Sequence, residues 1–217
     1  MVAEAAAYPA NHGLAEEIYL MQPDLVVASV YSTRATVAML RHLGIPVIQF
    51  EPASTMEDVR ARILQMGAAL GRDQAAMTMV ADFDSRLDDL SNEIRRRPEA
   101  ILYHANGYTS GNKTLAGQIL LAAGFENAAV KAGYSHGAKM PLEVLAMTAP
   151  EVVITSHPYP GSSRSEEILD HPVVRALRQS TTASAMSDQD WVCGTPYVLR
   201  AIEALGHTRR ALVDSQE

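Results

Sequence analysis

Two short runs in this chain carry residue types at spacings that chemistry uses. Gly107-Tyr108-Thr109-Ser110-Gly111-Asn112-Lys113-Thr114 is close to a phosphate-cradling loop. Such a loop wraps backbone N–H groups around phosphate oxygens and sets a lysine and a hydroxyl beside them. It needs glycine just before the lysine, where this chain has Asn112, and no later strand ends in a metal-holding aspartate. Nucleotide hydrolysis is not expected; a polar loop at a helix start, able to meet a ligand, remains. Gly133-Tyr134-Ser135-His136-Gly137 matches G-x-S-x-G, where a serine on a sharp strand-to-helix turn is a nucleophile. Asp170 and His207 follow in the order acid, then histidine. The preceding residues 127–132 include Lys131 and make a poor central strand. A serine hydrolase using Ser135 is the alternative reading. No histidine pair has H-x-x-x-H spacing, and Cys193 is the one cysteine. A preformed zinc site, an internal disulfide and a thiolate-held cluster are therefore not expected.

A third pattern is spread along the chain. Only 6% of residues are aromatic, yet Tyr31, Tyr103, Tyr108, Tyr159 and Trp191 fall at or just after the ends of apolar runs. Arg34, His104, Asn106 and His157 stand among them. In open α/β sheets, ligands bind beyond the carboxyl ends of the strands. Rings there suit a large, flat or apolar-faced ligand, and the polar groups suit its rim. These nine residues are the candidate ligand-binding set, with no catalytic and no resident metal residue among them.

The elements that must position them alternate. Residues 24–29, 46–50, 100–104 and 151–156 read as strands buried on both faces, and 181–186 as a weaker one. Helices fit 14–21, 33–43, 56–70, 114–123, 141–148 and 196–205, with Gly44, Gly124 and Gly206 as terminal glycines. Residues 72–97 show one sustained apolar stripe before Pro98, a helix of about 39 Å. Residues 15–29 align without gaps on 142–156, each a short helix, a proline and a buried strand. The expected architecture is α/β: two lobes with mostly parallel sheets flanked by helices, joined by one long connector helix. The divisions are an N-terminal lobe at 1–71, the connector at 72–97 and a C-terminal lobe at 98–217.

Composition narrows the function class. The chain has 217 residues, 47% apolar and 20% charged, with a net charge of −7. That composition is globular, and 18 scattered basic residues argue against a nucleic-acid surface. No basic, then apolar, then small-residue leader opens the chain, and no apolar run is long enough to span a bilayer.

At these residues the sequence resembles the substrate-binding proteins of ABC importers for cobalamin, ferric siderophores and haem. The resemblance is carried by Glu16-Glu17-Ile18, Pro23-Asp24-Leu25-Val26-Val27-Ala28 and Leu43-Gly44-Ile45-Pro46-Val47. It continues through Gly67-Ala68-Ala69-Leu70-Gly71, Gly107-Tyr108-Thr109-Ser110-Gly111 and Ala122-Ala123-Gly124-Phe125-Glu126-Asn127. Pro141-Leu142-Glu143-Val144-Leu145, His171-Pro172-Val173-Val174 and Gly194-Thr195-Pro196 complete it. It implies two lobes on a rigid helix, a metal chelate held in an inter-lobe cleft, and delivery to a membrane permease. It also implies a periplasmic or extracytoplasmic location, no enzyme activity and no cofactor other than a cobalt- or iron-containing ligand. Tyr31, Tyr108, Tyr159 and Trp191 would pack on the chelate, Arg34, Asn106 and His157 would meet its rim, and His104 or a tyrosine would suit haem iron. Few cations near the expected cleft tilt the reading toward cobalamin or a less charged chelate. Relatives begin with one further strand–helix–strand unit, so the first lobe is expected to be incomplete. They also dock on the permease through an acid on each lobe. Arg34 and Cys193 stand at those positions here, which leaves Glu57, Asp58 or Glu203 for docking.

Overall fold

The computed structural model describes residues 6–92, 94–156, 164–180, 182–186 and 188–214. Packing separates the chain into two units, Met1–Pro52 and Ala53–Glu217. In the first, helix α1 (Ala15–Leu20) leads to strand β1 (Val26–Ser29), helix α2 (Arg34–His42) and strand β2 (Val47–Phe50). β1 and β2 are parallel, with Val26 opposite Val47 and Ser29 opposite Phe50. After α2 the chain reverses at Gly44, whose φ of 81° is the left-handed conformation that glycine adopts without strain. Only Ala15, Val37 and Leu40 are buried among the described residues of this unit.

The second unit opens with helices α3 (Met56–Ala69) and α4 (Asp73–Asn92). Strand β3 (Glu99–Leu102), strand β4 (Tyr108–Ser110), helix α5 (Leu115–Ala122), strand β5 (Glu126–Asn127) and helix α6 (Ala128–Lys131) follow. Next come strand β6 (Gly137–Lys139), helix α7 (Leu142–Thr148), strand β7 (Val152–Ser156) and helix α8 (Pro172–Ser180). Strand β8 (Thr182–Met186), helix α9 (Asp188–Trp191) and helix α10 (Val198–Asp214) close the chain. β5, β3, β7 and β8 form one parallel sheet in that order. Alternation along its central strands divides the core. Ala100, Leu102, Val152 and Ile154 face Val59, Phe83, Ile119 and Ile202, while Ile101, Tyr103 and Val153 face Ala129, Leu145 and Val174.

Two expectations are corrected, and one strand escaped the sequence pattern. The long helix ends at Asn92, not Arg97. The Ser91 hydroxyl bonds back to the Leu87 carbonyl, and the next residues leave the helix so that Arg96 pairs with Glu151 and Arg97 caps the Leu121 carbonyl. Pro98 in turn disfavours a helical Arg97. Gly206 does not end the last helix, which runs through it to Asp214, whereas Gly44 and Gly124 both take positive φ as expected. Finally, residues 137–139 form an antiparallel ribbon with β4 that the sequence pattern did not show. The break in packing falls after Pro52, because α3 buries Val59 and Ile63 in the core of the second unit and crosses α4 closely. A Cβ on Gly67 would lie 2.3 Å from the Ala76 Cβ.

The two repeat segments fold alike. Each is a helix, a break and a parallel-paired strand, α1–β1 and α7–β7. The break itself repeats: Gln22 and Ala149, which the alignment equates, both take left-handed φ, 49° and 41°. Each stands just before the proline of its copy.

Candidate functional site

Parallel pairing puts the carboxyl ends of β3, β7 and β8 on one edge of the sheet. The segments leaving that edge hold four of the candidate residues, His104, Asn106, Tyr108 and Trp191. His104 follows β3 and Trp191 closes α9, and their rings stack with centroids 4.9 Å apart at 14°. Residues 87 positions apart in the sequence are thereby joined in one aromatic wall. His104 is nearly buried at 9% exposure, and Trp191 packs partly on the core behind it. The turn after His104 is tight. Asn106 takes φ 57° and Gly107 φ 72°, the Asn106 N–H donates to the Ser165 carbonyl, and the His104 N–H donates to the Tyr108 carbonyl. Asn106 is exposed and Tyr108 half-exposed, at 47%.

Tyr103 is not part of this surface. It is 0% exposed, its ring lies in the core beneath the sheet, and its hydroxyl donates to the Met140 carbonyl. Burial, helped by Glu143, pushes its phenol above the ordinary value. Its position one residue before the strand's turn misled the sequence reading: side chains alternate, so Tyr103 enters the core layer of Ala129 and Leu145 while His104 leaves on the other face, against Trp191. Tyr31 and Arg34 belong to the first unit, where Tyr31 is 81% exposed beyond β1 and Arg34 opens α2. Tyr31, with Ile18, Leu25, Val27, Val37 and Leu40, lines an apolar groove of about 510 Å³ in that unit. His157 and Tyr159 lie outside the described residues.

The two motifs that looked catalytic are parts of one backbone junction. The Gly111 N–H donates to the His136 carbonyl at 3.1 Å and the Lys113 N–H to the Ser135 carbonyl at 2.9 Å. Amides that would wrap a phosphate are thus consumed by the second motif. The loops meet so closely that a Cβ on Gly111 would lie 2.1 Å from the Tyr134 carbonyl oxygen. Ser135 sits between α6 and β6, with a strand and not a helix after it, so a nucleophile elbow is absent. Its supposed partners are engaged elsewhere, Asp170 with Arg175 and His207 with Arg210. Among the described residues no group of three His, Cys, Asp or Glu side chains is placed to hold a metal.

Lys139, on the ribbon opposite Tyr108, is a site-edge residue that sequence reasoning missed. Its strand has three residues and no apolar alternation, so nothing in the pattern marked it.

The model of a periplasmic binding protein family matches residues 10–182. The chain belongs to the periplasmic binding protein family. A cobalamin-binding protein of Halobacterium salinarum is 29% identical over 145 residues, 64% of this chain and 39% of the relative. This family member therefore spans about two fifths of the curated relatives it matches. Its fold is shared with the haem-binding protein RhuT of Roseiflexus sp. RS-1 in apo form (TM-score 0.76, 22% identity, 92% of this chain and 80% of that one). It is also shared with the vitamin B12 binding protein BtuF of Vibrio cholerae (TM-score 0.66, 17% identity, 91% and 78%). An ABC-type Fe3+-hydroxamate transport protein of Saccharomonospora viridis is similar as well (TM-score 0.69, 23% identity, 90% and 71%). The α/β architecture of this periplasmic binding protein, with parallel sheets between helices, is the one those structures share.

Proposed function

We propose that this protein is the extracytoplasmic substrate-binding component of an ABC importer, capturing a metal chelate of the cobalamin, ferric-siderophore or haem class for a membrane permease. The observation that carries this reading is the His104–Trp191 wall at the carboxyl edge of the sheet, in a chain whose family match spans residues 10–182. Binding and not catalysis is the mechanism: the Trp191 indole, held against the buried His104 ring, has little left to order on binding. Tyr108 and Asn106 extend that face in the second unit, and Tyr31 and Arg34, in the first unit, keep their proposed place in the set. His157 and Tyr159 keep their proposed place in the set. The functional division that goes with this reading keeps residues 72–97 as a connector between 1–71 and 98–217, although α3 packs with the second unit. No resident cofactor is needed, since the metal arrives inside the ligand.

Trp191 is the only tryptophan, so its fluorescence reports the proposed wall without interference. A titration with cyanocobalamin, hemin and a panel of ferric siderophores, read by Trp191 quenching and visible absorbance, is expected to saturate for one of them. Replacing Trp191 with alanine should weaken that binding by at least tenfold. Silence toward every chelate, from protein shown to be folded by circular dichroism, would remove the reading.

A further inference from the structure

Lys139 stands directly opposite Tyr108 across the β4–β6 ribbon, and its ammonium lies 5.8 Å from the centroid of the Tyr108 ring. Directly opposed residues project from the same face of a ribbon, so an aromatic face and a cation share one surface. That surface adjoins the turn that carries His104 and Asn106 at the carboxyl edge of the sheet. It is held from below by bonds on both strands. The Met140 N–H donates to the Gly107 carbonyl, the Tyr103 hydroxyl donates to the Met140 carbonyl, and the Thr109 hydroxyl donates to the Leu102 carbonyl.

Charge pairing differs between the two ends of the sheet. At the amino end Lys131 bridges Glu99 and Glu126, and Arg96 pairs with Glu151. At the ribbon, among the described residues, no carboxylate forms an ion pair with Lys139 or with Lys113, which follows β4. In a chain with a net charge of −7, a cation poised over an exposed ring and left without an acid is ready for an outside anion.

We propose that the β4–β6 ribbon recognises an anionic oxygen group on the rim of the chelate. The Tyr108 ring lies against the flat body of the ligand, and the Lys139 ammonium pairs with a carboxylate or a phosphodiester. This assignment rests on the binding reading and sharpens it, because it selects chelates by the charge on their rim. Carboxylate and phosphodiester are one chemistry from two sources, and paired probes separate them. Hemin carries ionised propionates that its dimethyl ester lacks. Cyanocobalamin carries a phosphodiester that dicyanocobinamide lacks.

Titrating all four into the 217-residue protein and into Lys139→Gln tests the proposal. Wild type is expected to favour the anion-bearing member of one pair by about tenfold. Lys139→Gln loses that preference while keeping the affinity for the other member, and Lys139→Arg retains it. Tyr108→Ala weakens both members alike, because the ring touches the shared body. Lys139 is exposed, so its variants are expected to melt with the wild type. Equal affinity for both members of each pair, or a Lys139→Gln loss falling equally on both, overturns the ribbon assignment and leaves the binding reading standing. No saturable binding of any of the four overturns the assignment, and the binding reading falls with it only if ferric siderophores fail too.

Discussion

At the scale of single residues, the glycines decide what the two motifs do. Gly111 meets backbone, not the flexible end of a side chain: its Cβ position is 2.1 Å from the Tyr134 carbonyl oxygen and 2.3 Å from the Ser135 carbonyl carbon. Neither loop can yield without breaking the Gly111-to-His136 and Lys113-to-Ser135 bonds that join them. Gly111→Ala is therefore expected to destabilise the protein by about 2–3 kcal/mol in urea unfolding, the range for overpacking plus lost backbone bonds. Gly133 gives the contrast. It has φ 93° and nothing within 4 Å of its Cβ position, so Gly133→Ala pays only for conformation, about 1 kcal/mol. A Gly111→Ala protein as stable as the wild type would mean that the junction does not hold the ribbon. The same comparison explains why these motifs misled the sequence reading. Glycine at a close backbone approach and glycine around a phosphate or a nucleophile have the same spelling.

At the scale of elements, helix starts carry the clearest pH dependence. The Thr55 hydroxyl accepts the Asp58 N–H at the start of α3, and the Asp58 carboxylate accepts the N–H groups of Ser54 and Thr55. The Ser54 bond, first among the causes, holds the Asp58 carboxyl below its ordinary value. Because the folded value is depressed, this stabilisation is complete above the ordinary carboxylate range and disappears as pH falls through the folded value. Asp58→Asn should cost about 1 kcal/mol near neutrality, the usual worth of such a cap, and nothing at strongly acid pH. Urea unfolding of both proteins across the acid range checks this, and parallel stability curves would contradict it. The Glu126 carboxyl, lowered by its hydrogen bond from Lys131, leaves some acid slope in both proteins. Element types were legible wherever residues repeat at one period: the strands around β1, β2, β3 and β7 and the helix α3 lie where apolar spacing put them. What escaped was set by tertiary contact. The end of α4 depends on Arg96 and Arg97 finding partners far along the chain, and β6 exists because β4 pairs with it. In the candidate site, only the places of His104 and Trp191 after strands were legible, and their stacking was not. Tyr103 was misplaced by one step of alternation, and Lys139 had no pattern to announce it.

At the scale of the whole molecule, the internal repeat shows how unevenly the two units are supported. β1 and β7 are equivalent by sequence, by the left-handed residue before each proline, and by their pairing with the next strand. β7 has a second neighbour, β3, on its other side, whereas among the described residues β1 has none. The difference appears in burial. β7 is buried throughout, while Val27 of β1 is exposed, with Tyr19, Leu20, Val30 and Tyr31 exposed around it. A two-stranded sheet with so small a core is marginal by itself. Local opening requires little free energy where few apolar groups are buried. Native-state hydrogen exchange is therefore expected to show the β1 and β2 amides exchanging at least a hundredfold faster than those of β3 and β7. A dye that fluoresces on apolar surface should bind, and Val27→Thr together with Tyr31→Ser should reduce that signal without lowering the main thermal transition. Protection of β1 equal to that of β7 would show that the first unit is held by something other than its own core. If a chelate slows exchange in β1 and β2 while leaving β3 and β7 unchanged, ligand capture and ordering of the first unit are one event. By linkage, the affinity then includes the cost of closing that opening.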